Sequence, residues 1–322
     1  MSNMKRPPVP PVLVLALGIL AVSAASIFIR YAQIEAHSLV IAAWRLSLAT
    51  LVLAPFALTR RREELAALKR SDLGLALLSG VFLAVHFATW ISSLAYTSVA
   101  SSVVLVSTAP LWVALLSPIT LKEPLARPVM LGMLLALVGG TVVSVSDTCT
   151  WSGAGFACPP LSEFVHGRAF WGDLLALVGA WTVAGYLIIG RRLRAHVSLL
   201  SYVFVVYGMA ALVLVAVVLF AGLPLFGYSP LTYLMLVGLA LLPQLLGHTS
   251  YNWALAYLSA AYVSVTVLGE PVGSSILAYF LLAETPTPLK LAGAALILVG
   301  IYIASRNPAP PQTEEIRENP SL

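Results

Sequence analysis

Apolar stretches of about 20 residues recur through the whole chain, separated by short polar connections. That length is what a helix needs to cross roughly 30 Å of hydrocarbon. In lipid every backbone N–H and C=O must be bonded within its own segment, so such stretches can only be helices. They fall at 11–30, 38–58, 72–94, 98–120, 128–146, 171–190, 198–221, 231–253, 259–282 and 288–305. The expected fold is an all-α integral membrane protein with ten transmembrane helices. Composition agrees: 10% of the 322 residues are charged and mean hydropathy is +0.94, whereas a soluble domain carries about 25% charged residues. The opening MSNMKRPPVPP resembles the start of a secretory leader, but the run behind it is long enough to span and is read as a permanent helix.

An even number of spans puts both termini on one side. With that side cytoplasmic, Lys5, Arg6, Arg60, Arg61, Arg62, Lys69, Arg70, Lys122, Arg127, Arg191, Arg192, Arg194, Arg306 and Arg317 lie inside, which is 14 of the 18 basic residues. The positive-inside rule therefore fixes the orientation. It also explains the +5 net charge without nucleic acid: the run TRRREELAALKRSD is a topogenic cytoplasmic connection. The expected location is the plasma (inner) membrane of the cell, multi-pass, with a polar, proline-rich cytoplasmic tail at 306–322. Cys149 and Cys158 fall in the longest external connection. They read either as a disulfide closing a small loop or as two free thiols, and an oxidising exterior favours the bridge. No metal site is expected from two cysteines and the neighbouring His166. A phosphate-binding glycine loop, a His-Glu-x-x-His pair and a nucleophile elbow are all missing, so no cofactor is expected and an enzyme is disfavoured.

Sliding the chain by 161 residues aligns AYTSVASSVVLVSTAPLWVALL (95–116) with AYLSAAYVSVTVLGEPVGSSIL (256–277). Over 95–140 against 256–301 the two copies share 15 identities in 46 positions, among them Pro110 with Pro271, Glu123 with Glu284, Gly132 with Gly293 and Gly139 with Gly300. Five spans per copy is odd, so the second copy enters the membrane from the opposite side. Inverted repeats with a site at their interface are characteristic of secondary transporters. The expected division is a cytoplasmic N-terminus at 1–10, repeats at 11–146 and 171–305, an external connection at 147–170 and the tail.

In three stretches the chain resembles the drug/metabolite transporter superfamily, in its ten-helix EamA-type branch. These are AAWRLSLATLVL in the second span, AYTSVASSVVLVSTAPLWVALLSPITLKEPLARPVMLGMLLALVGG across the fourth and fifth, and VLGEPVGSSILAYFLLAETPTPLKLAGAALILVGIYI across the ninth and tenth. The resemblance implies two five-helix bundles around a central cavity, with the fourth and ninth spans inside and the fifth and tenth near the periphery. It also implies outward movement of small organic metabolites, often coupled to protons. The expected function is a secondary transporter, an exporter of amino acids or related compounds, whose partners are a small-molecule substrate, protons and the lipid bilayer. A channel or lipid scramblase is the rival reading. Whether the protein is a monomer or a dimer stays open.

Helical spacing nominates the pathway. Residues four apart share a face, so Tyr262, Thr266, Glu270 and Ser274 form one polar stripe on the ninth span. Gln244, His248 and Asn252, beside Tyr251, form another on the eighth, and Phe82, His86, Trp90 and Ser93 a third on the third span. Lipid would not tolerate these faces. Trp90 and Tyr251 also read as interface anchors near span ends, and His86 and His248 as interhelical hydrogen-bonding groups. Arg45 lies well inside the second span and is read as binding an anionic substrate group or tuning Glu270, against a packing or snorkelling role. Glu270 has Ala109 as its counterpart and so breaks the symmetry; it is read as a protonatable group near the midplane. Pro110 and Pro271 preserve the symmetry and are read as hinges that kink continuous helices. Glu123 and Glu284 are expected to be structural acids at helix starts, and Gly132, Ala136 and Gly140 a close-packing ridge.

Overall fold

The computed structural model describes residues 7–123, 125–148, 150–152, 155–157, 167–283, 285 and 287–305. Cys149, Cys158, His166 and Glu284 lie outside them. The described chain is overwhelmingly helical: α1 (Pro11–Ser23), α2 (Ala25–Ala32), α3 (Ser38–Arg60), α4 (Arg62–Ala66), α5 (Arg70–Ser93), α6 (Val99–Val106), α7 (Ala109–Thr120) and α8 (Arg127–Thr148) precede a small antiparallel hairpin. The hairpin pairs β1 (Thr150–Ser152) with β2 (Gly155–Ala157) inside the long connection, where only loop was expected. There follow α9 (Arg168–Arg194), α10 (Leu199–Phe220), α11 (Pro230–Leu239), a π-helical segment (Ala240–His248), α12 (Thr249–Ala254), α13 (Ala260–Val267), α14 (Glu270–Leu282) and α15 (Pro288–Ser305).

Among the described residues seven helices are long and apolar enough to cross a membrane: Pro11–Ala32, Ser38–Arg60, Arg70–Ser93, Arg168–Arg194, Leu199–Phe220, Pro230–Ala254 and Ala260–Leu281. The other three expected stretches contain shorter apolar helices, Ala109–Thr120, Arg127–Val142 and Leu291–Gly300. Large apolar side chains such as Leu20, Ile119, Leu212 and Phe220 cover the exterior. A surface this apolar is stable against acyl chains, not water. The protein is a multi-pass membrane protein.

The sequence starts its helices with local signals. Ser198, Ser229 and Ser259 each accept a hydrogen bond from the amide three residues on, which satisfies one of the orphan donors of a first turn. Glu35, in the α2–α3 connection, reinforces the start of α11 from outside it. Its carboxylate accepts the Ser229 amide and the Thr232 hydroxyl, both at 2.8 Å. Those bonds, the Ser229 amide foremost, hold the Glu35 carboxyl below the usual carboxylate range.

Packing joins the two halves through corresponding residues. α3 packs on α10, α8 on α15, α1 and α2 on the α11–α12 rod, and α9 on α5. Gly18 lies so close to α12 that an added Cβ would meet Ser250 Cβ at 3.0 Å and Tyr251 Cε1 at 3.1 Å. Gly179, 161 residues later, stands in the same relation to Thr89 Oγ1 (3.4 Å) and Trp90 Cβ (3.3 Å), the residues 161 before Ser250 and Tyr251. Gln33 Nε2 donates to Ile91 O at 2.8 Å, and Arg194 Nε to Asn252 O at 3.0 Å, again at the same offset. Among the described residues Lys122 and Ala283 are the non-glycine positions with positive φ, both 55°, and they too are 161 apart. In the α8–α15 contact the closest approach falls on Gly139, where a Cβ would lie 2.5 Å from Gly293 O. Gly132 and Gly140 are also buried there, while the side chain of Ala136 lies outside the described residues.

Candidate functional site

Two helix breaks build the site. α6 ends at Val106 and α7 begins at Ala109, with Pro110 in its first turn; α13 ends at Val267 and α14 begins at Glu270, with Pro271 in its first turn. A proline tolerates the first turn because its missing N–H would have no partner there. The expected kinks fall at short turns, 107–108 and 268–269, whose backbone stays in the helical region at Thr108, Leu268 and Gly269. At the second break the amides of Leu268 and Gly269 turn back to Val265 O and Thr266 O, each at 3.1 Å. Because Pro271 has no N–H, Val267 O is left without its helical donor, and Pro110 does the same for Val106 O.

Between the breaks lies a cavity with about 570 Å³ of empty space, its open side included. Val106, Ser107, Ala109 and Pro110 form one wall and Ser264, Val267, Leu268 and Glu270 the facing one. His86 and Trp90 of α5, Val183, Tyr186 and Leu187 of α9, and His248 and Tyr251 complete it. The rings form a continuous lining: His86 stacks on Trp90 (centroids 5.9 Å apart, planes at 12°), and His248 lies 6.3 Å from both His86 and Tyr186 and 5.8 Å from Tyr251. Trp90 and Tyr251 are each 3% exposed. They are therefore cavity residues, not interface anchors. His86 Nδ1 also bonds Gly179 O at 2.9 Å, so this ring is both an interhelical link and part of the wall.

Several polar atoms of the wall are buried without a hydrogen-bond partner among the described residues: Trp90 Nε1, Ser107 Oγ, His248 Nδ1 and Tyr251 Oη. Buried polar groups in native proteins are almost always satisfied, and these four belong to residues that line one cavity. Glu270 is 8% exposed and has no ion-pair partner within 4 Å among the described residues.

The remaining nominated residues stand outside the wall. Arg45 is fully buried; its Nε donates to Gln244 Oε1 at 2.8 Å and its guanidinium stacks 4.1 Å above the Phe87 ring. Phe87 in turn touches His248, with ring centroids 5.1 Å apart. Arg45 thus sits one layer behind the wall, with both terminal nitrogens and Gln244 Nε2 unpartnered among the described residues. Asn252 is a brace: its amide donates to Tyr186 Oη, to Tyr207 Oη at 3.4 Å and to His248 O at 2.8 Å.

The stripe expected on the ninth span is split by the break. Glu270 alone of the four lines the cavity; Thr266 bonds back to Val263 O at 2.7 Å, Ser274 reaches Ser23 O of α1 at 3.1 Å, and Tyr262 is buried in the first turn of α13, its amide donating to Ser259 Oγ at 3.2 Å. Ser93 turns to Ser102 and Phe82 packs at Gly185. Tyr186, Ser107 and Ser264 are wall residues that spacing did not nominate. Their signal was faint: a tyrosine among small residues on the sixth span, and serines close to the two prolines.

A second cluster lies away from the cavity. Arg191 Nε bonds Glu123 Oε1 at 2.6 Å and its Nη1 donates to Leu255 O at 2.9 Å. Glu123 therefore ties the α7–α8 connection to the end of α9 instead of merely starting α8, and Arg191, counted above only as a topogenic charge, is a buried structural residue.

Residues 9–145 and 170–306 each match the EamA-like transporter family. A protein of Archaeoglobus fulgidus named uncharacterized transporter is 26% identical over 301 residues, covering 91% of this chain and 96% of its own. The uncharacterized transporter YyaM of Bacillus subtilis is 24% identical over 273 residues, 82% of this chain and 83% of its own. A short stretch of 70 residues, 22% of this chain and 24% of the other, is 36% identical to the probable terminal-alkyne amino-acid exporter of Streptantibioticus cattleyicolor. A solved crystal structure superposes with a TM-score of 0.69 at 20% identity, covering 92% of this chain and 96% of that one, a likeness of fold.

Proposed function

The chain belongs to the EamA-like transporter family, and from that premise we propose that it is a secondary transporter exporting amino acids or related small metabolites by alternating access. The observation that carries the reading is the cavity wall itself. Residues at the breaks of two corresponding spans line one aromatic chamber, and several of its lining residues carry polar atoms with no partner among the described residues. Such a chamber suits a small guest with apolar and polar parts. The local likeness to an amino-acid exporter points to the same class.

The proposed architecture is ten spans in two inverted five-span repeats. It is supported by contacts that exchange at a constant offset, Gly18 on Tyr251 and Gly179 on Trp90, Gln33 on Ile91 and Arg194 on Asn252. A two-fold relation between the halves requires such exchange, and a carrier can use it to swap its open side. In the proposed orientation both termini are cytoplasmic in the plasma membrane, which places the Arg191–Glu123 clasp on the inner side. Glu270 is the coupling residue of this reading, an acid with no ion-pair partner among the described residues that can exchange a proton with either side. Arg45, Gln244 and Asn252 support the wall from behind, while His86, Trp90, Tyr186, His248 and Tyr251 contact the guest.

Counterflow tests the proposal. Purified protein in liposomes preloaded with unlabelled amino acid is expected to accumulate labelled amino acid transiently and saturably. Linear, non-saturating flux without counterflow would mark a channel or scramblase, and chemical change of the solute would mark an enzyme.

A further inference from the structure

The two breaks are alike in backbone but not in charge. Val106 O and Val267 O are both deprived of a helical donor by the proline four residues on, and both residues line the cavity. Only the second break adds a carboxylate, Glu270, where the first has Ala109. A carbonyl at the end of a helical segment carries the negative pole of that segment, so the α13–α14 break concentrates acceptors: one freed carbonyl, one carboxylate, and the Ser264 hydroxyl on the same wall. Trp90 and Tyr251 line the same cavity, and their π-systems attract cations. We propose that the α13–α14 break is the seat of a primary ammonium group of the transported solute, held by the Glu270 carboxylate and the Val267 carbonyl. The proposal rests on the carrier reading above and specifies which end of the solute binds where.

Charge balance then narrows the class. The charged groups that bear on the seat are Glu270 itself and, one layer behind the wall, Arg45; the two histidines beside it are His86 and His248. With Glu270 ionised, the buried pair Glu270 and Arg45 sums to zero. A zwitterion keeps the sum at zero, with its ammonium at the break and its carboxylate towards Arg45. An amine adds one positive charge and an acid one negative charge, and buried net charge is costly. The acid also has no seat opposite Glu270. The expected order of affinity is zwitterion, then amine, then acid.

Thermal shift of the full-length protein in nanodiscs, with L-phenylalanine, phenethylamine and 3-phenylpropionate as probes, reads this order directly. Phenylalanine and the amine are expected to stabilise saturably, and the acid about 10-fold more weakly or not at all, as follows from the loss of one charge-assisted hydrogen bond. Glu270→Gln, nearly isosteric, is expected to weaken the amine about 10-fold. Pro271→Ala, which returns an N–H to Val267 O, is expected to weaken it while leaving the carboxylate in place; if that variant fails to fold, Glu270→Gln decides alone. Equal binding of acid and amine would overturn the proposal, as would an unchanged amine affinity in Glu270→Gln, stabilisation by sodium chloride but by none of the three probes, or no stabilisation at all. Counterflow of any solute, whatever its charge, would still leave the carrier reading standing, so the two can fail separately.

Discussion

Replacing Arg191 by methionine is expected to destabilise the protein by about 3 kcal/mol, the scale on which breaking a buried ion pair leaves an uncompensated charge. Arg191 and Glu123 are only 10% and 16% exposed at their side chains. The substitution strands the Glu123 carboxylate and also removes the donor to Leu255 O. Three connections loosen together: the end of α9, the α7–α8 turn and the residue after α12. Thermal unfolding in nanodiscs measures the loss. Arg192, exposed and one residue on, is the control, and its replacement by methionine should change little. Equal effects at the two positions would show that the clasp contributes nothing. Adding Glu123→Gln to Arg191→Met should recover part of the loss, since the orphaned charge then disappears.

Arg45 is expected to behave in the opposite way. Its guanidinium is fully buried and, among the described residues, holds one hydrogen bond and leaves both terminal nitrogens unpartnered. A buried charge with so few partners is costly to desolvate, and an apolar side chain of similar length removes that cost. Arg45→Met should therefore raise the unfolding temperature and, by removing the charge that balances Glu270, lower amino-acid counterflow about 10-fold or more. A variant that is both more stable and less active is the mark of a residue kept for function. Loss of stability would show instead that the guanidinium holds the wall together, and unchanged counterflow would remove it from the transport cycle.

Why the sequence revealed the spans and not the site follows from how each is specified. A span is imposed by the solvent: the length and apolar content of 38–58 or 198–221 can be met by few other structures, and the helices Ser38–Arg60 and Leu199–Phe220 follow them closely. Glu270, His86, Trp90, His248 and Tyr251 stand out because polar or aromatic groups are conspicuous in such a chain, and Pro110 because the repeat preserves it; the structure brings these six to one cavity. The stripe around Glu270 was misread because counting by fours assumes an unbroken helix. The turn at Leu268–Gly269 resets the phase between Thr266 and Glu270, whereas Ser274, on the same helix as Glu270, is engaged by Ser23 O of α1. On the eighth span a π-helical segment containing Pro243 widens the turn, which leaves Gln244 on Arg45 and His248 on the cavity. Arg191 was hidden for another reason: a basic residue at a span end satisfies the positive-inside rule whether or not it is buried, so its pairing with Glu123 is a fact of tertiary packing alone.

The central claim, that one chamber between the two halves is reached alternately from the two sides of the membrane, is tested most directly by labelling it. Ser107 lines the cavity and its hydroxyl has no partner among the described residues. With Cys149 and Cys158 replaced by serine, Ser107→Cys can be challenged with a membrane-impermeant maleimide from each side of oriented vesicles. Labelling from both sides, slowed from both by saturating substrate, is the expected result. Labelling from one side only, or from neither, with counterflow intact, would contradict it.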